Sequence, residues 1–146
     1  MMHSFVTCYG EVSCDLAPLV EAVRGIPRDA WVYRSDKESY KTCVVRECDR
    51  AFPAKLAADL MVAAGTAYFA PGYTNRVLLS CVPAGAGILP HRDDFGETVR
   101  RASFHCHIPL ITHAGAVMGF PGHDHILHME AGHLYSIDET QEHYVD

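Results

Sequence analysis

The chain carries no Cys-x-x-Cys pair among its six cysteines, no run of Lys and Arg, and no apolar stretch approaching the roughly 18 residues of a membrane span. The first absence removes a zinc knuckle and a thioredoxin-type dithiol. It leaves Cys8, Cys14, Cys43, Cys48, Cys81 and Cys106 to be read as reduced, mostly buried thiols. The second absence, with a net charge of −6, argues against a nucleic-acid partner, which needs clustered cations to neutralise phosphates. Met1 to Gly10 also lacks the basic start and apolar run of a signal peptide. A cytoplasmic protein with no membrane partner is expected.

What is present is a length of 146 residues with 49% hydrophobic and 21% charged content, the balance of a soluble globular chain. No repeat, low-complexity stretch or Ser/Gly/Pro-rich linker divides it, so one domain over residues 1–146 is expected. Histidine is the outlier. There are ten, and all but His3 and His91 fall at or after His105. The chemistry is thus expected in the C-terminal half.

Residues 1–74 read as support. Asp15 can cap a helix whose Leu16, Leu19, Val20 and Val23 recur at helical spacing, with Gly25 and Pro27 ending it. Lys41–Glu47 is rich in β-branched residues and reads as a strand. Pro53 opens a second helix, to Ala64, with Leu56, Leu60 and Ala63 on one face. From Asn75 the pattern changes to short apolar runs between turn residues: Arg76–Val82, Ser103–Leu110, Ala116–Phe120, Ile126–Met129, His133–Ile137 and Glu142–Val145. Such spacing predicts a β-sandwich or barrel, with the helices bracing its outside.

In Pro90-His91-Arg92-Asp93 two potential ligands stand two residues apart, a spacing that points both to one face of an extended strand. A single such pair is weak evidence, since a surface salt link leaves the same trace. About fifty residues on, a late strand runs through Asp138 and Thr140 into His143, which a barrel could fold back onto the first pair. Two imidazoles and one carboxylate on a common face form the facial triad of non-haem iron(II) oxygenases, which leaves positions open for a bidentate cosubstrate and dioxygen.

The residues around these three carry a resemblance. Val82-Pro83-Ala84-Gly85-Ala86-Gly87-Ile88-Leu89-Pro90-His91-Arg92-Asp93, then His107-Ile108-Pro109-Leu110, then Glu130-Ala131-Gly132-His133-Leu134-Tyr135-Ser136-Ile137-Asp138, then His143, resemble the aspartyl/asparaginyl β-hydroxylase family. The likeness runs over residues 75–146. It implies a mainly β fold, a double-stranded β-helix of the jelly-roll or cupin-like kind, braced by two or so N-terminal helices. It further implies a 2-oxoglutarate-dependent dioxygenase that hydroxylates a small-molecule or peptide substrate, giving succinate and carbon dioxide. On that likeness His91, Asp93 and His143 bind iron(II), while His107 and, less directly, His105 and Ser80 contact 2-oxoglutarate.

Two departures stand out. The family's arginine in the central strand is replaced by His105, which lacks the planar fork that grips a carboxylate from two sides. Family members also continue beyond the distal histidine to an arginine for the far carboxylate, whereas this sequence stops three residues after His143. Arg76, Arg100 and Arg101 are the cations to examine in its place. The substrate-facing rim is expected between Asp94 and Arg101 and in the loop from Trp31 to Tyr40.

Two other readings stay open. His105 and His107 could hold a metal with His143, as in a cupin-type enzyme that does not use 2-oxoglutarate, although no acidic ligand follows in Pro109 to Thr112. A non-catalytic metal or small-ligand binding module is the other. His123, His125 and His128 surround a Pro-Gly turn and read as a solvated hairpin tip.

Overall fold

A computed structural model describes residues 5–30, 32–33, 46–48, 79–93, 106–124, 126–138 and 140–146. The Pro53–Ala64 helix, the Asp94–Arg101 rim, Arg76 and His105 lie outside the described residues, as does most of the Trp31–Tyr40 loop.

The described residues are mainly β. Ten strands follow in chain order: β1 (Val6–Glu11), β2 (Val32–Tyr33), β3 (Arg46–Cys48), β4 (Leu79–Cys81), β5 (Ile88–His91), β6 (Cys106–His107), β7 (Met118–Gly119), β8 (Ile126–Leu127), β9 (His133–Ile137) and β10 (His143–Val145). All pair antiparallel, in three sheets ordered β1-β9-β6, β5-β10-β7-β8 and β2-β3-β4. The single described α-helix, α1 (Ala17–Arg24), follows β1.

Most C-terminal strands fall inside the apolar runs that announce them. Pro121-Gly122 makes the β7–β8 hairpin: the His123 N–H donates to the Phe120 carbonyl at 3.0 Å, and Gly122 takes φ +78°, which a type II turn demands at its third residue. Asp138 makes the β9–β10 turn. Its Oδ1 accepts from the Thr140 N–H at 3.1 Å and from the Thr140 hydroxyl at 2.6 Å, and its carbonyl accepts from the Gln141 N–H at 3.1 Å.

The strand at β1 was not legible. It pairs with β9, which lies at the other end of the chain, and a bulge between Cys8 and Gly10 breaks its alternation. The Tyr9 hydroxyl meets the Ser136 Oγ at 3.2 Å across this pairing. Of the strand expected at Lys41–Glu47, Arg46 and Glu47 lie in β3, which continues to Cys48, and residues 41–45 lie outside the described residues.

Asp15 does serve the helix start, from one residue further out than a cap: its Oδ1 accepts from the Ala17 N–H at 2.9 Å. Pro18 is tolerated in the first turn, where no amide donor is missed. The fully buried Leu19 packs on Leu79 of β4, with Leu16, Val23, Ile26 and Leu110 around them.

The main core lies between the β1-β9-β6 sheet and the β5-β10-β7-β8 sheet. Val6 of β1 and Tyr135 and Ile137 of β9 pack against Met118 and Phe120 from β7 and its end, with Phe5, Leu127, Met129 and Val145 at the margin. Strand alternation therefore assigns an inner face to each sheet: Val6, Tyr135 and Ile137 on one, Met118, Phe120 and Val145 on the other. On the outer side of β1 and β9, Leu134 packs with Val12, Tyr9, Leu16 and Ile108.

The thiols are a correction. Cys8, Cys14, Cys81 and Cys106 are free, as expected, but Cys8 and Cys106 are exposed and the other two only half-buried. Cys8 and Cys106 sit on the two edge strands of a three-stranded sheet, with no further described strand paired beyond either. Among the described residues no helix is long and apolar enough to cross a membrane.

Candidate metal centre

β10 delivers His143 and β5 delivers His91, and the antiparallel register sets the two directly opposite each other. Residues so paired share one face of the sheet. Their rings stand 4.5 Å apart between centroids. That face is the inner one, because His143 is two residues from Val145 and its ring lies 6.4 Å from that of Phe120. β5 ends at His91, so Asp93 lies just beyond the strand rather than within it. Its carboxylate still reaches the pair: Oδ1 is 3.9 Å from His91 Nε2 and Oδ2 is 3.5 Å from His143 Nε2.

The tautomers follow from the backbone. His91 Nδ1 lies 2.8 Å from the Leu89 carbonyl, and His143 Nδ1 lies 3.0 Å from the Gln141 carbonyl. A carbonyl only accepts, so each Nδ1 carries the proton and donates it. In a neutral ring Nε2 then presents a lone pair, and both Nε2 atoms face the same carboxylate. Tying the remote nitrogen to a carbonyl is how proteins orient metal-ligating histidines.

One donor atom from each of the three residues lies within 4.8 Å of the others, and among the described residues this is the one group of three or more His, Cys, Asp or Glu with such convergence. Two donors at about 2.1 Å from a shared cation stand roughly 3–4 Å apart. The separations of 3.9 and 3.5 Å between the Asp93 oxygens and the two imidazoles match that spacing. The site is also sheltered: the His91 and His143 side chains are 8% and 4% exposed, and Asp93 is 18% exposed. The donor set of two nitrogens and one carboxylate thus fits a divalent cation.

The other expected residues are placed as follows. His107, on β6, pairs with Tyr135 across the sheet and so belongs to its inner face, which looks toward the sheet bearing the triad; it is exposed. Ser80 is exposed on β4, opposite Glu47, in a sheet that shares no strand with the one holding His91 and His143. The cupin-type alternative would bring His107 and His143 onto one metal, but the donor atoms that converge among the described residues are those of His91, Asp93 and His143, without His107. His123 is exposed at the hairpin tip, its ring edge-on to Phe5 at 4.7 Å. His133 opens β9 beside Glu130, with Nε2 and Oε2 3.6 Å apart.

Three contributors had no sequence signal. The Leu89 and Gln141 carbonyls act through main chain, which any residue supplies. Phe120 backs His143 only because of the β7–β10 register, which no local pattern reveals.

The family model for aspartyl/asparaginyl beta-hydroxylase matches residues 60–146, more than half of the chain. The chain belongs to this family. Comparison with curated proteins and with solved structures gave no match. As a member of a hydroxylase family, the protein carries its converging His91, Asp93 and His143 inside the matched segment, as it does His107 and Ser80.

Proposed function

We propose that this protein is a non-haem iron(II), 2-oxoglutarate-dependent oxygenase that hydroxylates an amino acid, a peptide or a protein side chain. The observation that carries the reading is the converging triad, with both imidazoles held by backbone carbonyls so that Nε2 of each meets the Asp93 carboxylate. Two histidines and one carboxylate leave positions on the metal unfilled by protein, which suits a cosubstrate and dioxygen better than the closed tetrahedral site of structural zinc. The chemistry such a bound metal would support takes dioxygen as the oxidant, one of its oxygen atoms going to succinate as 2-oxoglutarate loses carbon dioxide and the other to the hydroxylated substrate.

The chain's own residues would then divide the work. His91, Asp93 and His143 hold the metal. His107 looks into the same inter-sheet space from the opposite sheet and is the residue we assign to the cosubstrate carboxylate, with His105 and Ser80 as further contacts. Phe120, 2% exposed, lies beside the His143 ring and keeps water from that side of it. Orienting the target carbon and keeping out competing reactions is the protein's share in such chemistry.

The fold we infer for the whole single domain is a double-stranded β-helix. Support comes from the alternation of the chain between two sheets: β5 in one, β6 in the other, β7 and β8 in the first, β9 in the second and β10 in the first again. Free thiols at Cys8, Cys14, Cys81 and Cys106 suit a reducing compartment such as the cytoplasm.

An anaerobic titration tests the function. Iron(II) together with 2-oxoglutarate should develop the visible charge-transfer absorption of a chelated cosubstrate, and His91→Ala should abolish it. In air, succinate should form in step with 2-oxoglutarate consumption. A band that persists in the variant would move the metal away from His91, and turnover indifferent to 2-oxoglutarate would favour the cupin-type reading.

A further inference from the structure

The register of β10 decides whether His143 faces the core at all, because a slip of one residue turns every side chain of a strand to the opposite face. β5 cannot set that register alone. Its ladder with β10 shifts between His143 and Val145, so that three steps on β5, from His91 to Ile88, span two on β10. Pro90, in the middle of that step, has no N–H to offer the ladder. β7 is regular by contrast. Tyr144 pairs with Gly119 and Val145 with Met118, and Val117 and Asp146 exchange both backbone bonds at 2.8 and 2.9 Å.

The Tyr144–Gly119 pair is the one beside His143. Gly119 is buried, and a Cβ on it would run into the ring and hydroxyl of Tyr144. The ring therefore lies across the bare backbone of the neighbouring strand, on the outer face of the sheet. Along the next step of the same register, Phe120 backs the His143 ring on the inner face.

We propose that Gly119 is a positioning residue for His143, acting by giving the Tyr144 ring a seat that locks β10 against β7 in the register that sets His143 opposite His91. The proposal rests on reading His143 as a metal ligand, but its mechanical part does not need the metal. Gly119 and Tyr144 act as a pair: glycine on one strand, aromatic on the other. Any side chain at 119 lifts the ring, and removal of the ring frees the strand.

The test compares the full-length wild type with Gly119→Val, Tyr144→Ala and Tyr144→Phe by two readouts. In metal-free protein, NMR should show a ring–ring NOE between His91 and His143, whose centroids are 4.5 Å apart, in the wild type and in Tyr144→Phe. Gly119→Val and Tyr144→Ala should lose it while keeping the Phe5–Phe120 NOE that reports an intact core. Cobalt(II), as an optical probe, should bind at least tenfold more weakly to those two variants and with an altered visible spectrum, and normally to Tyr144→Phe. An unchanged His91–His143 NOE and cobalt spectrum in Tyr144→Ala and Gly119→Val overturns the proposal. Should Gly119→Val not fold, Tyr144→Ala decides, since it only removes atoms. A wild type that ignores cobalt sinks the metal reading, while the NOE comparison still decides whether Gly119 holds the register.

Discussion

His143 stands directly across the β5–β10 ladder from His91, and Asp93 closes the third side of the space between their Nε2 atoms. A cation held there ties two strands and the segment after β5 together, so binding becomes folding free energy. Free metal at 100 times its dissociation constant should add about 2.7 kcal/mol to stability. Calorimetric melting with and without a chelator should show that shift, and His143→Ala should erase it. Equal melting temperatures for wild-type protein in both conditions would count decisively against the centre.

Phe120 is 2% exposed, touches the Phe5 ring at 5.0 Å and backs His143 at 6.4 Å. Phe120→Ala therefore empties core volume and removes a wall of the site at once. Urea unfolding of the metal-free protein should show a loss of about 3–5 kcal/mol. Phe120→Leu, which keeps most of the volume, should cost clearly less. A cost for the alanine variant within error of zero would mean that the residue is not packed as described.

Asp138 accepts two bonds from Thr140 in the turn that carries the chain from β9 to His143. The turn is exposed, so its hydrogen bonds compete with water. Asp138→Ala should cost about 1 kcal/mol in urea unfolding, and Asp138→Asn less. The larger effect is expected on metal affinity, measured by isothermal titration, because the turn sets where β10 begins. Unaltered affinity in the alanine variant would detach the turn from the site.

β7, β8, β9 and β10 were legible because their turns are chemically explicit, whereas β5 falls in none of the apolar runs. Pro121-Gly122 and Asp138 with Thr140 each satisfy a known geometry, and the apolar runs between them alternate or stay short. The convergence of His91, Asp93 and His143 was anticipated from a His-x-Asp pair and a distant histidine taken together with the family resemblance of the residues around them. β1 was hidden because its partner is β9, far along the chain, and its bulge spoils the alternation. The exposure of Cys8 and Cys106 could not be read either, since burial at a strand edge depends on what lies beside that edge. Backing contacts such as Phe120 on His143 belong to register, and register is a property of strand pairs rather than of a segment.

Tyr135 lies in the core at 3% exposure, and its hydroxyl accepts the Glu130 N–H at 2.9 Å. Burial pushes the phenol above its ordinary value of 10.0; the Glu130 N–H draws it back down in part, and Cys8, across the strand pair, adds to the rise. The folded protein therefore holds its phenolic proton more tightly than the unfolded chain does. Between the ordinary value and the raised one the native state binds more protons, so stability falls as pH rises through that window and is fully present below it. Unfolding free energies measured from neutral pH into the alkaline range should show this decline. Tyr135→Phe should lose about 1 kcal/mol at neutral pH, from the unpaired Glu130 N–H, yet decline less steeply above pH 10. Identical alkaline slopes in the two proteins would place the titrating group elsewhere.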